Sequence, residues 1–111
     1  IRDYVYVEDV AEAFIAISIN KDCTGNIYNI GTGVGTSFLE MAETVIKVVG
    51  QGSIKLVPWP RNYENIETGD YISDISSISR ATGFCPCVSL TEGIKKTVEY
   101  YKNNKDFYWN D

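Results

Sequence analysis

The chain has 111 residues, of which 44% are hydrophobic and 23% charged, with a net charge of −5 and no histidine. That suffices for one domain, able to bury about two thirds of the surface its unfolded chain exposes, and the balance excludes a disordered tail. No apolar run approaches the roughly 18 residues a membrane span needs, and an acidic chain with two separated arginines in its candidate binding region offers no basic patch to nucleic acid.

The opening Ile1-Arg2-Asp3-Tyr4-Val5-Tyr6-Val7 alternates, so Tyr4 and Tyr6 can face one side of a strand while Val5 and Val7 face the other. Asp9 can cap the helix that follows, with Glu12 reaching back to close a capping box. Val10, Ala13, Phe14 and Ile17 give that helix an apolar stripe and predict it over residues 10–19. An arginine just before a short strand that turns into a helix is a permanently charged fork, suited to a phosphate or a carboxylate. Its plainer use is to pair with Asp3 or solvent. The chain opens on Ile rather than Met, inside a strand pattern and without a signal peptide, so a fragment or a processed product is expected.

Asn20-Lys21-Asp22 and Thr24-Gly25 then make a turn-rich connection, and Ile27-Tyr28-Asn29-Ile30 reads as a short strand. Ser37-Phe38-Leu39-Glu40 is a capping box opening a second helix, with Phe38, Met41, Ala42, Val45, Ile46 and Val49 as its buried stripe. Gly50 and Gly52 close it. Residues 53–57 read as another strand, ended by Pro58-Trp59-Pro60, and residues 61–69 as a loop. Asp74 can cap a short third helix with Ile75 and Ile78 inward and Gly83 behind it. Ser89 and Glu92 form a further box, and Leu90, Ile94, Val98 and Tyr101 carry the last helix inward. Short strands alternating with capped helices predict an α/β or α+β domain with a small, incomplete sheet.

Three stretches mimic chemistry. Gly31-Thr32-Gly33-Val34-Gly35-Thr36 follows a strand and opens a helix, as a dinucleotide-binding turn does. The third glycine of that pattern would fall at Thr36, and no acid follows the next strand to hold a ribose. The glycines are better explained as a tight turn with close backbone approach. Tyr101 and Lys105 spell Tyr-x-x-x-Lys, but Tyr101 falls on the apolar stripe and lacks a serine or threonine partner. Cys85-Pro86-Cys87 would strain any bridge, and without a second pair or a histidine it makes no metal site. No catalytic residue and no metal ligand is expected, and free thiols agree with a cytoplasmic protein.

Four segments in order carry a resemblance: Arg2-Asp3-Tyr4-Val5-Tyr6-Val7-Glu8-Asp9-Val10-Ala11, Asn26 to Gly33, Gly69 to Ser76, and Gly83 to Ile94 running on to Tyr101. Together they resemble the C-terminal part of extended short-chain dehydrogenases/reductases, the UDP-glucose 4-epimerase-like family of NAD-dependent nucleotide-sugar epimerases and dehydratases. The resemblance implies a single C-terminal substrate-binding domain over residues 1–111, with short strands and about four capped helices, detached from its NAD-binding Rossmann half. It implies isomerase or lyase chemistry for the intact parent, with NAD bound there and no cofactor in this chain. Arg2 matches the family arginine that contacts the diphosphate, and Asp70 the aspartate that hydrogen-bonds the ribose. The second family arginine lies in an Arg-x-Gly-Asp stretch, where this chain has Glu67-Thr68-Gly69-Asp70. Arg61 is its nearest substitute, or else a solvated loop arginine. Tyr71 can line the cleft or be simply a half-buried aromatic. The implied partners are a nucleotide-sugar substrate and the Rossmann half, with no nucleic acid and no membrane. The competing expectation is a free-standing acidic interaction domain that uses the Trp59 loop or the tail Phe107-Tyr108-Trp109 against a protein.

Overall fold

Arg2–Asp3 (β1) pairs antiparallel with Gly35–Thr36 (β2), Arg2 opposite Thr36 and Asp3 opposite Gly35. The structure is a computed structural model that describes residues 1–59 and 69–109. Helices make up the rest of its regular structure: α1 Val7–Ile19, α2 Phe38–Val49, α3 Ser76–Thr82, α4 Leu90–Asn103 and the single turn α5 Lys105–Tyr108. A 3-10 turn, Lys21–Cys23, follows α1. The fold is therefore α+β, mostly helical with a two-stranded sheet.

α1 begins three residues before the predicted start, behind Tyr6, and has no side-chain cap. Asp9 does not cap it. It lies in the first turn, 3% exposed, and its carboxylate accepts from the N–H groups of Cys87 at 2.9 Å and Val88 at 3.1 Å. Two amides of the extended segment before α4 thus take the acceptor that a local box would have used. A carboxylate in a first turn is favoured by the helix dipole in any case.

The alternating Tyr4 to Val7 stretch is not a strand either; the ladder falls one step earlier, where residues 35 and 36 lie alongside. Residues 27–30 and 53–57, predicted as strands, join no ladder among the described residues. β-propensity becomes a strand only where a neighbour completes the backbone hydrogen bonds. Tyr28 and Ile30 of the first segment pack against the core while Ile27 is 93% exposed, so its alternation survives without a ladder.

Local signals did better at the helix ends. Ser37 accepts from the Glu40 N–H at 3.1 Å, and Glu40 accepts from the Ser37 N–H at 2.8 Å, so both halves of the predicted box form. Gly50 and Gly83 end α2 and α3 in the left-handed conformation, at φ +80° and +75°. Ser89 accepts from the Glu92 N–H at 3.3 Å, capping α4. Asp74 stands one place too early to be the cap of α3, which is Ile75, yet its carboxylate accepts from the Ser76 N–H at 2.9 Å.

The core is small. Ala13 of α1, Ile78 of α3 and Phe84 are buried together, with Ile17, Tyr28, Ile30 and Ile75 packed against them. Burying a side chain such as Ile78 contributes about 1.5–3 kcal/mol. Asn20 ties the pair from the side: its amide donates to the Ala81 carbonyl at 2.8 Å while its oxygen accepts from the Asp22 N–H at 3.0 Å. α2 lies against α4, and its stripe is only half covered, with Phe38 and Val45 exposed rather than buried. Gly93 lets α4 approach the Tyr6 ring, since a Cβ there would meet Cδ2 at 3.0 Å.

Candidate functional site

Asp3 organises the site from beneath. Its carboxylate accepts from the Thr32 N–H at 2.9 Å, the Gly33 N–H at 2.9 Å, the Ser73 N–H at 3.2 Å and the Thr32 hydroxyl. Partial burial pushes the Asp3 carboxyl up, but hydrogen bonds from the Thr32 hydroxyl and from the Thr32, Gly33 and Ser73 amides outweigh it. They hold the group below the ordinary carboxylate range. One side chain thereby pins the 31–34 turn and the segment at residue 73 to the edge of β1.

This pinning explains the glycines. A Cβ on Gly31 would collide with Ser73 and lie 2.5 Å from Asp3 Oδ2, and Gly33 sits at φ +73°. Two of the turn's N–H groups, which in a dinucleotide-binding turn would face a pyrophosphate, are spent on Asp3. Gly31 and Gly33 let the turn pack closely against Asp3 and Ser73.

Successive residues of a strand point to opposite sides, so Arg2 addresses a different surface. Its Nη1 donates to the Ile1 carbonyl at 2.8 Å and to the Gly69 carbonyl at 2.5 Å. The guanidinium carbon stands 5.5 Å from the centre of the Phe38 ring. The Tyr71 N–H donates to the Ile1 carbonyl at 3.1 Å, which brings Asp70, the residue before it, to the same edge. Three sequence-predicted residues, Arg2, Asp70 and Tyr71, thus meet at one edge although they come from opposite parts of the chain. Asp70 is 74% exposed, and Tyr71 shows about half its surface. Arg61, the fourth, lies outside the described residues. Ile1, Phe38 and Ile72 make the same edge openly apolar.

A cavity of about 320 Å³ opens beside the pinned turn, between Tyr4, Thr32 and Thr36 on one side and Cys87, Ser89 and Leu90 on the other. Phe38, Asp3, Thr32 and Ser73 shape the site without having been singled out as site residues in the sequence. A polar side chain between two glycines was a signal that could have found Thr32. Nothing local pointed to Ser73.

The Tyr-x-x-x-Lys stretch lies away from this edge. Tyr101 packs edge-on against Tyr100, Tyr108 and Trp109, with ring centres 4.9–5.6 Å away. α4 ends at Asn103, which puts Lys105 on the next element. Cys23, Cys85 and Cys87 are free thiols, the first of them buried. Among the described residues no three metal-ligating side chains gather, and no helix is long and apolar enough to cross a membrane.

No protein-family model matches the chain. Individual proteins do. The dTDP-D-glucose 4,6-dehydratase of Bos taurus is 33% identical over 106 residues, which cover 93% of this chain and 30% of that protein. Among solved structures, the UDP-glucose 4-epimerase of Thermotoga maritima with UDP-glucose matches at a TM-score of 0.77 and 32% identity, over 93% of this chain and 32% of that one. The Bordetella bronchiseptica enzyme WbmF, in complex with NAD+ and UDP, matches at 0.76 and 30% identity, over 96% of this chain and 30% of that one. The chain spans about a third of the length of each. These relatives and structures are short-chain dehydrogenase/reductase epimerases and dehydratases, and over this region the chain shares their fold. Over nearly all its length the chain is similar to the C-terminal part of these NAD-dependent nucleotide-sugar epimerases and dehydratases.

Proposed function

We propose that residues 1–111 are the substrate-binding domain of an NAD-dependent nucleotide-sugar epimerase or dehydratase of the cytoplasm, inactive alone. The observation that carries this reading is the meeting of Arg2 with the 69–71 segment at an open edge. Arg2 supplies a bidentate, charge-assisted contact to the diphosphate. Asp70 accepts a hydrogen bond from the ribose, Tyr71 lines the cleft, and Arg61 adds a second positive charge. The partners are the nucleotide sugar and a Rossmann half.

NAD, bound by that half, supplies the hydride acceptor in the intact enzyme. This chain's glycine turn does not fit a pyrophosphate, because its Thr32 and Gly33 amides already hold Asp3. The residues here bind and orient; they transfer no hydride and move no proton.

Charge-assisted contacts contribute roughly 1.5–3 kcal/mol each, against several kcal/mol to immobilise a free ligand. The 111-residue chain is therefore expected to bind UDP weakly, in the millimolar range, and to show no measurable affinity for NAD. An NMR titration with UDP should shift residues 2–6 and 61–71 first. Shifts scattered over the surface, or micromolar affinity for NAD in a calorimetric titration, would refute the proposal.

A further inference from the structure

Phe38 looks misplaced. It is the first residue of α2, on the apolar side of the helix, yet its ring is 55% exposed and contributes little to the core. What it does touch is Arg2, whose guanidinium carbon lies 5.5 Å from the ring centre, within the range where a ring face attracts a cation. The rest of the geometry serves the same end. The ladder opposes Arg2 to Thr36, and Ser37, next in sequence, caps α2 through the reciprocal box with Glu40. The ring therefore stands on a fixed helix start two residues from Arg2's strand partner. Nη1 meanwhile is held by the Ile1 and Gly69 carbonyls. An arginine side chain loses much rotamer freedom when it is immobilised, and a guanidinium ordered in advance spares a ligand that cost.

We infer that Phe38 is a positioning residue for Arg2, holding the guanidinium in its diphosphate-facing orientation before any ligand arrives. The functional half of this inference rests on the reading of Arg2 given above; the structural half does not.

Two readouts keep these halves apart. The first needs no ligand: a ring beneath the guanidinium should move the Arg2 side-chain proton resonances upfield, and Phe38→Leu should abolish that displacement while Phe38→Tyr keeps it. The second is UDP affinity by NMR titration. Phe38→Leu should weaken it about two- to fivefold, the value of an exposed cation–π contact. Phe38→Tyr should restore it, and in an Arg2→Ala background Phe38→Leu should weaken it no further. Arg2 resonances that are the same in wild type and Phe38→Leu would overturn the inference. So would a loss of UDP affinity that persists in full without Arg2, since the ring would then act on the ligand or the fold directly. A chain that shows the displacement but binds no UDP would support the positioning and refute the diphosphate reading.

Discussion

At the residue scale the decisive group is Asp3, a single carboxylate that joins three segments of the chain. Removing it with Asp3→Ala leaves the Thr32, Gly33 and Ser73 amides without their acceptor, and hydrogen bonds to a charged group are worth about 1.5–3 kcal/mol. Its pH dependence has a definite sign. The folded-state pKa lies below the ordinary range, so the stabilisation is complete above the unfolded pKa and fades as pH falls through the folded one. Urea midpoints measured from pH 5 down to pH 2 should drop more steeply in wild type than in Asp3→Asn. Parallel curves would remove Asp3 from its place as organiser. Arg-Asp-Tyr is legible in the sequence, where Asp3 reads only as a partner for Arg2. Asp3 matters as much, and for a reason no local pattern carries: its partners lie 29–70 residues away.

At the scale of elements, what was legible was local. The Ser37–Glu40 box, the glycine ends of α2 and α3, and the pairing of Ile75 and Ile78 inward all follow from residues within one or two turns of each other. Asp9 was misread because its true partners are the Cys87 and Val88 amides, 78 and 79 residues on. Residues 27–30 and 53–57 were misread because a strand pattern states a preference and not the presence of a neighbour. Two substitutions separate these cases. Ser37→Ala should cost about 1 kcal/mol, the usual loss of an N-cap. Ile78→Ala, in the fully buried contact between α1 and α3, should cost about 2–5 kcal/mol. Chemical denaturation of both variants measures the difference, and equal losses would mean that α1 and α3 do not form the core described.

For the whole molecule the telling quantity is the apolar surface left outside. The radius of gyration is 17.2 Å, where a compact domain of about 100 residues has roughly 13 Å. Phe14, Ile15 and Ile19 of α1 are exposed, as are Ile27, Leu56 and Val57. Exposed apolar surface of this kind promotes association. The isolated chain should therefore self-associate as its concentration rises, and replacing Phe14 and Ile19 with lysine should reduce this while shifting the denaturation midpoint little. Sedimentation velocity over a hundredfold concentration range provides the check; an unchanged monomer in wild type would contradict it. The sequence composition, ordinary for a globular domain, gave no hint of this, because composition counts apolar residues without saying which faces the chain itself can cover.

The central claim is that Arg2 holds a diphosphate beside Asp70 and Tyr71, and paired titrations of wild type and Arg2→Ala with UDP and with uridine test it most directly. Uridine keeps the base and ribose but lacks the charge. The account predicts that wild type binds UDP more tightly than uridine, that added salt narrows the gap, and that Arg2→Ala closes it, leaving uridine affinity unchanged. A variant that still prefers UDP by the wild-type margin would contradict the account.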